Sequence, residues 1–130
     1  MNNSNTNFYR IPLLGFAALI IAGSSIPGQS LPTVFKLTPD KLIHTVEYFI
    51  LGYLIVRWMF VEFSEKSNTW KFSLTAILGG LFGVADELYQ SLIPGRFTDP
   101  FDWMMDFTGV CLAILIYHFI NRKRKRELSK

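Results

Sequence analysis

The chain has few charged residues and very little cysteine. Charged residues occupy 18% of the 130 positions, whereas a soluble domain of this size carries about a quarter. The single cysteine, Cys111, excludes an intrachain disulfide and leaves the redox compartment undetermined. The sequence also lacks internal repeats, low-complexity segments, a nucleophile elbow and a glycine-rich phosphate loop. A disulfide-stapled fold, a repeat array and the most recognisable hydrolase and nucleotide-binding motifs are therefore excluded.

The residues that are present gather into four apolar blocks, with the charges at the block ends. Hydrophobic residues make up 50% of the chain, and the blocks cover about residues 8–26, 42–63, 72–93 and 101–120. A helix needs about 20 residues to cross a bilayer, and the blocks lack the strict alternation of a barrel strand. We therefore predict an all-α, polytopic membrane protein: a single domain over residues 1–130, built as a four-transmembrane-helix bundle with a basic tail at 121–130.

The first block has a second interpretation. Its hydrophobic run is short and ends in the small residues Ala22, Gly23 and Ser24, as in a signal peptide. Against cleavage, the leading segment has one base, Arg10, and no clear small-x-small site. We favour a retained transmembrane helix that packs at the edge of any polar site.

Lysine and arginine are distributed unequally between the two sides of the predicted helices. Ten of the 13 bases lie on the side of both termini, and three, Lys36, Lys41 and Arg96, lie on the other. The positive-inside rule therefore predicts that both termini are cytoplasmic. The last nine residues hold six bases, which we interpret as an anchor near anionic lipid rather than a nucleic-acid patch. We expect the lipid bilayer as a partner and no nucleic acid.

Seven of the ten acids lie on the side opposite the termini, and several fall inside predicted helices. A charge at such depth costs several kcal/mol unless it is paired, protonated or in contact with water. Each of the last three helices turns one polar stripe to one face. The stripes comprise Lys41, His44, Glu47 and Tyr48; Gly79, Gly83, Asp86, Glu87 and Gln90; and Asp99, Asp102, Asp106 and Gly109. We predict that they form one shared site, with Gly79 and Gly83 permitting a close helix approach.

The same residues resemble the signatures of the VanZ-like family. Three segments carry the resemblance: Lys41-x-x-His44-x-x-Glu47-Tyr48, then Asp86-Glu87-x-x-Gln90 with Pro94-Gly95-Arg96, and Asp99-x-x-Asp102-x-x-x-Asp106-x-x-Gly109. The order and spacing agree over about residues 40–117, although the family often has asparagine where this chain has Asp106. The resemblance implies a bacterial inner-membrane protein of a group named for glycopeptide resistance, and it supplies no reaction.

Two hypotheses give the polar site a ligand. The first is binding of a lipid-linked cell-envelope intermediate or its peptide, for which Arg96 offers a planar fork unless it pairs with Asp99 or Asp102. The second is hydrolysis or transfer on such a lipid, with His44 as general base and Glu87 or Asp86 as acid. The catalytic candidates are His44, Glu47, Asp86, Glu87, Asp102 and Asp106, and the substrate-binding candidates are Lys41, Tyr48, Gln90, Arg96 and Asp99.

Two further interpretations stay open. The imidazole and carboxylates are ligand types for a divalent metal, the one cofactor the sequence suggests, which would make the protein a metal-dependent membrane hydrolase or transferase. Alternatively, the polar residues are a buried network that holds the helices together, although intramembrane hydrogen bonds average only about 0.6 kcal/mol. The sequence does not decide between an enzyme, a binding protein and a structural bundle, and it leaves the oligomeric state undetermined.

Overall fold

The computed structural model describes residues 3–30 and 40–128, so Lys36 of the first connection lies outside the described residues. The four α-helices are α1 (Asn3–Ser24), α2 (Asp40–Glu62), α3 (Asn68–Gln90) and α4 (Pro100–Leu128), and a short 3-10 turn (Gly28–Ser30) follows α1. No strand occurs in the described part of the chain. The fold is all-α, as the four apolar blocks predict.

Each helix is long and apolar enough to cross a membrane. The spans are Thr6–Ser24, Lys41–Glu62, Asn68–Gln90 and Pro100–Glu127. Large apolar side chains lie uncovered on the outside of the bundle, among them Leu19, Leu81 and Phe119. An apolar exterior of this extent suits lipid rather than water as the surrounding medium. The chain is therefore a multi-pass membrane protein that associates with a lipid bilayer.

Successive helices run antiparallel. Near the start of α1, Arg10 forms an ion pair with Glu62 at the end of α2, with 2.7 Å between nitrogen and oxygen. At the opposite end of the bundle, Gln90 Nε2 of α3 donates a hydrogen bond to Ser24 Oγ of α1 at 3.2 Å. The end of α1, the start of α2, the end of α3 and the start of α4 therefore meet at one end of the bundle, which we call the distal end.

α2 lies at the centre of the bundle. It packs most extensively against α4 and also contacts α1 and α3, whereas α1 contacts mainly α2. The buried apolar residues are Ile20, Tyr48, Leu51, Ile55, Val56, Met59, Val110 and Ala113. Toward the distal end this apolar core gives way to buried charged residues, and these define the candidate site.

α3 begins earlier and ends earlier than the predicted limits of 72 and 93. The Ser67 hydroxyl accepts the Trp70 N–H at 3.2 Å and caps the helix, so residue 68 is already helical. At the other end the Leu92 N–H bonds to the carbonyl three residues back at 3.0 Å, which tightens the backbone before Gly95 adopts a positive φ of 76°. This turn brings the α3–α4 connection back over the distal end.

Asp99 and Pro100 set the start of α4. Asp99 Oδ1 accepts the Phe101 N–H at 2.9 Å, and Pro100 occupies the first helical position, where no N–H is needed. α4 then continues to Leu128, well beyond the predicted end at residue 120. The described part of the basic tail therefore extends this helix.

Glycines bring α4 close to α2 and α3. A Cβ at Gly79 would lie 2.7 Å from an α4 side chain, and one at Gly83 would lie 3.3 Å from Asp106 Oδ2. A Cβ at Gly109 would meet the Thr45 carbonyl oxygen of α2. The prediction that Gly79 and Gly83 permit a close helix approach is confirmed. This approach places the acidic residues of α4 against the polar faces of α2 and α3.

Candidate functional site

An ion-pair triad joins α2 and α4 at the mouth of the distal end. Lys41 Nζ lies 2.9 Å from Asp99 Oδ2 and 3.1 Å from Asp102 Oδ1. The Lys41 ammonium, with a smaller effect from the Phe101 N–H, holds the pKa of Asp99 below its usual range. Lys41 is exposed, whereas Asp102 is buried. The predicted substrate-binding residues Lys41 and Asp99 are thus paired with each other.

One helical turn deeper, His44 of α2 contacts Asp106 of α4. His44 Nδ1 lies 2.8 Å from Asp106 Oδ1, and the side chains are only 7% and 1% exposed. His44 follows Lys41 by three residues, and Asp106 follows Asp102 by four. The helical repeat therefore places His44 and Asp106 on the same faces as the triad, one turn deeper in the bundle. A carboxylate that orients an imidazole in this way is typical of proton-transfer sites and of metal sites.

Asp86 is the centre of a hydrogen-bonded group that joins α1, α2 and α3. Its Oδ2 accepts the Gln90 amide at 3.1 Å and, at the longer distance of 3.5 Å, the Tyr48 hydroxyl. Gln90 also donates to Ser24 Oγ at 3.2 Å. All four side chains are buried. This network fixes the relative positions of the three helices on the α1 side of the site.

Glu87 faces α4 and the connection that precedes it. Its Oε2 accepts the Asp99 N–H at 3.3 Å. One ligand atom each from Glu87, His44 and Asp106 lie within 4.8 Å of one another. The structure therefore brings together residues of α2, α3 and α4 that the sequence places on three separate stripes.

Glu47 lies beside this group and is half-buried. The charges of His44, Asp86 and Asp106 act on it, so it belongs to the same electrostatic environment. The acidic cluster, as we call it, comprises His44, Glu47, Asp86, Glu87, Asp102 and Asp106.

Three buried oxygens of the acidic cluster accept no hydrogen bond from the described residues: Asp86 Oδ1, Glu87 Oε1 and Asp106 Oδ2. Leaving a buried polar atom unsatisfied costs about 1–3 kcal/mol, and more where the group is charged. A purely structural network gains stability by satisfying its members. This arrangement instead suits the binding of a cation or a hydrogen-bond donor, or the uptake of a proton.

Arg96 does not contact the acidic cluster. Its Nε donates to the Ile26 carbonyl at 3.2 Å and its Nη2 to the Gly23 carbonyl at 3.1 Å. These carbonyls lie at and just beyond the end of α1, where a helix leaves its last acceptors without backbone partners. The two aspartates considered as partners for Arg96 bind Lys41 instead. Arg96 therefore holds α1 to the α3–α4 connection, and the Arg96–aspartate pair, one of the two alternatives for this side chain, does not form.

Sequence reasoning missed Ser24 and Ser25, which bring α1 into the site. Ser24 accepts from Gln90, and Ser25 Oγ lies 2.8 Å from the Tyr89 hydroxyl. Two adjacent hydroxyls at the end of an otherwise apolar helix are the signal that could have identified them. α1 is thus a wall of the site at this end.

An apolar groove between α3 and α4 leads from the outside of the bundle to Glu87. Its volume is about 290 Å³, and its lining residues are Val84, Glu87, Leu88, Thr98, Asp99, Pro100 and Trp103. The Trp103 indole N–H donates to the Gly80 carbonyl at 3.1 Å, which fixes one wall. Leu88 is 63% exposed, so the groove opens on the lipid-facing surface. Glu87 is the residue of the acidic cluster that contributes to its lining.

The chain has a curated relative in yeast and no match among solved structures. An uncharacterized protein of Schizosaccharomyces pombe is 30% identical over 90 residues, which cover 68% of this chain and 52% of the yeast protein. The chain thus spans about half the length of that relative. The model of the VanZ/LLP1 family matches residues 3–121, from the start of α1 into the last turns of α4. The resemblance carried by the three motifs is confirmed, and the chain belongs to the VanZ/LLP1 family.

Proposed function

We propose that this chain binds a lipid-linked cell-envelope intermediate at the outer face of the bacterial cytoplasmic membrane. The observation that carries the proposal is that Glu87 of the acidic cluster is among the residues that line the apolar α3–α4 groove. A lipid-linked intermediate has the same two parts, a long apolar chain and a polar headgroup. The apolar chain would lie along the groove, and the headgroup would meet the acidic cluster.

The walls of the groove suit a hydrocarbon chain but give little selectivity. Val84 and Leu88 are exposed and apolar, and Pro100 and Trp103 face them across the groove. In water, burial of such a surface would be favourable, but surrounding lipid is as apolar as the groove itself. The groove therefore positions the ligand, and selectivity has to come from the headgroup.

Charge decides which headgroup atoms the site accepts. Lys41 is paired with two aspartates, and Arg96 is bound to carbonyls of α1. A bare phosphate at Glu87 would meet like charge. An amine or amide of a peptide-bearing headgroup, or a phosphate accompanied by a cation, would be attracted.

The orientation in the membrane follows from the distribution of bases. The side of both termini holds ten of the 13 lysine and arginine residues, and the positive-inside rule assigns that side to the cytoplasm. The distal end would then face the periplasm or cell exterior. Lipid-linked envelope intermediates are consumed on that side, so the site and its ligand would coincide.

The His44–Asp106 contact favours a second candidate function, the processing of the same lipid by hydrolysis or transfer. An imidazole can accept and donate a proton through its two ring nitrogens, and a carboxylate at 2.8 Å holds that of His44 in one orientation. Glu87 lies close enough to serve as the opposite partner in a proton transfer. The same site would then first bind the lipid and afterwards catalyse its hydrolysis or transfer.

The groove and the headgroup site are tested with a matched pair of tryptophan substitutions. Leu88→Trp fills the groove, whereas Leu81→Trp places the same side chain two turns away on α3, outside the groove lining, at a position with nearly the same exposure of 62%. Each purified protein is titrated with a long-chain polyprenyl phosphate in detergent, with and without a divalent cation, and bound lipid is counted by native mass spectrometry.

In the presence of the divalent cation, we expect saturable lipid binding by the wild type and by Leu81→Trp, and binding at least tenfold weaker in Leu88→Trp. Equal binding by the two variants would reject the groove. Failure of the wild type to bind polyprenyl phosphate, both with and without the divalent cation, would reject the proposed ligand class.

A further inference from the structure

Three residues of the acidic cluster converge from three different helices. His44 of α2, Glu87 of α3 and Asp106 of α4 each place a ligand atom within 4.8 Å of the others. All three are buried, with exposed fractions of 6%, 7% and 1%. Convergence from three elements separates this group from a run of acids on one exposed helix face.

Two of these ligands also carry an oxygen without a partner. Glu87 Oε1 and Asp106 Oδ2 accept no hydrogen bond from the described residues, and neither does Asp86 Oδ1 beside them. Neither Lys41 nor Arg96 binds these three oxygens, since Lys41 binds Asp99 and Asp102 while Arg96 donates to carbonyls of α1, although the charge of Arg96 acts on Glu47. A protonated His44 can offset one of the carboxylates around it, and the remaining buried acidic groups favour a bound cation or the uptake of protons.

The distances suit a single metal ion. Donors that sit about 2.1 Å from a common metal lie about 3 to 4 Å from one another. His44 Nδ1 and Asp106 Oδ1 lie at the hydrogen-bond distance of 2.8 Å, so the two atoms would have to separate slightly to share a metal ion. The ligand atoms of all three residues lie within 4.8 Å of one another. To share one metal ion, the more widely spaced of them would have to move closer together by about 1 Å or less, which side-chain rotation allows.

The ligand types narrow the choice of metal. Magnesium and calcium prefer shells made of oxygen alone, whereas imidazole favours zinc and its transition-metal neighbours. Two carboxylates with one imidazole suit Zn²⁺ or Mn²⁺. Three protein ligands leave coordination positions for an outside oxygen, as in sites that act on a substrate rather than sites that only hold a fold together.

We propose that His44, Glu87 and Asp106 bind one divalent transition-metal ion, Zn²⁺ or Mn²⁺, with an open position toward the α3–α4 groove. The ion would offset the buried carboxylates and would allow the cluster to accept a phosphate oxygen. That use of the ion rests on the proposed lipid function, whereas binding of the metal itself does not.

The experiment measures metal directly. Wild-type protein, with any affinity tag removed, is stripped with a chelator and titrated with Zn²⁺, Mn²⁺ and Mg²⁺ by calorimetry, and the bound metal is counted by elemental mass spectrometry. The variants are His44→Ala and Glu87→Gln. The control is Glu62→Gln, which removes a carboxylate paired with Arg10 at the other end of the bundle.

We expect one equivalent of Zn²⁺ or Mn²⁺ in the wild type and in Glu62→Gln, weaker binding of Mg²⁺, and affinity at least tenfold lower in both cluster variants. No transition-metal binding by the wild type, or unchanged affinity in Glu87→Gln, would overturn the proposal. If a cluster variant fails to fold, X-ray absorption of the zinc-loaded wild type decides, since a shell without imidazole nitrogen would also overturn it.

The Leu88→Trp variant distinguishes the proposal of lipid binding from the proposal of a metal site. Leu88→Trp should keep the metal and lose the lipid. Metal binding without lipid binding in the wild type would reject the lipid function alone, and lipid binding without metal would reject the metal site alone.

Discussion

His44 of α2 and Asp106 of α4 lie in contact, with 2.8 Å between Nδ1 and Oδ1. Gly109 lies three residues after Asp106, and a Cβ there would collide with the backbone of Thr45, the residue after His44. The absence of a Cβ at Gly109 therefore permits the short contact between the His44 and Asp106 side chains. The backbone has to come close before the imidazole can reach the carboxylate.

Gly109→Ala should destabilise the protein and break this contact. The added Cβ would lie 2.8 Å from the Phe49 backbone nitrogen, and backbone atoms cannot yield as a flexible side chain does, so we expect a loss of about 1–3 kcal/mol. Gly15→Ala is the control, because its Cβ would meet nothing within 4 Å and alanine favours a helix by about 1 kcal/mol over glycine. Thermal unfolding in detergent should show opposite shifts, and a Gly109→Ala protein as stable as the wild type would contradict the packing.

Asp106→Asn should separate stability from ligand binding. The amide keeps the size of the carboxylate and can still hydrogen-bond to His44, while a buried charge with an unpartnered oxygen is removed. We expect unfolding stability to stay equal or to rise by about 1 kcal/mol, while affinity for Zn²⁺ or Mn²⁺ falls at least tenfold. A large loss of stability in this variant would instead favour a structural role for the pair.

The helical stripes were predictable because they depend on local geometry alone. A repeat of 100° per residue places Lys41 and His44 on one face, and Asp102 and Asp106 on one face, whatever the loops do. A charge inside an apolar helix then has to face the bundle interior. The four helices and the convergence of their polar faces follow from these two rules.

The partner of each charge was not predictable, because it depends on how the connections fold. The turn at Gly95 carries Arg96 to the carbonyls of α1, while Lys41 takes Asp99 and Asp102. Both arginine and lysine are chemically suited to those aspartates, so residue type alone cannot choose between them. The ends of α3 were misplaced for the same reason, since a serine cap and a tight turn, not hydropathy, set them.

The Lys41–Asp99 ion pair should make stability depend on pH in acid. The Lys41 ammonium holds the pKa of Asp99 below its ordinary value of 3.8, so the ionised carboxylate favours the folded state. The contribution of the ion pair to the free energy of unfolding is fully present above pH 3.8. It is lost as the pH falls through the pKa of Asp99 in the folded protein, which is lower than 3.8. Asp99→Asn keeps the cap on the Phe101 N–H but removes the ion pair.

The measurement compares melting temperatures of the wild type and Asp99→Asn between about pH 3 and pH 7. The variant should melt lower at neutral pH, and the difference should shrink toward pH 3 and with added salt. Glu65→Gln, at an exposed position in the α2–α3 connection, is the control and should show little difference. If the difference in melting temperature between the wild type and Asp99→Asn grew toward pH 3, the Lys41–Asp99 ion pair could not be its source.

The proposed orientation predicts which connections an impermeant thiol reagent can reach. In a Cys111→Ala background, Thr98→Cys should label in intact cells and Asn68→Cys should not, because ten of the 13 bases hold the α2–α3 side in the cytoplasm. Both positions are exposed, so both should label after permeabilisation, which controls for reactivity. The reverse pattern in intact cells would move the acidic cluster to the cytoplasmic side and remove the basis for an outer-leaflet ligand.

Glu87→Gln tests whether the acidic cluster binds a ligand or only holds the helices. Glutamine keeps the shape of the side chain, and its carbonyl oxygen can still accept the Asp99 N–H that Glu87 Oε2 accepts at 3.3 Å. What disappears is a buried charge whose second oxygen has no partner. The folded state should therefore lose nothing by the change, and the amount of protein in the membrane and its melting temperature should match those of the wild type. Lipid binding that depends on a divalent cation should fall at least tenfold, because Glu87 is the residue of the acidic cluster that lines the groove. If Glu87→Gln is instead depleted from the membrane while the surviving protein binds lipid and metal normally, the carboxylate stabilises the bundle, and the ligand has to be sought elsewhere on the distal end.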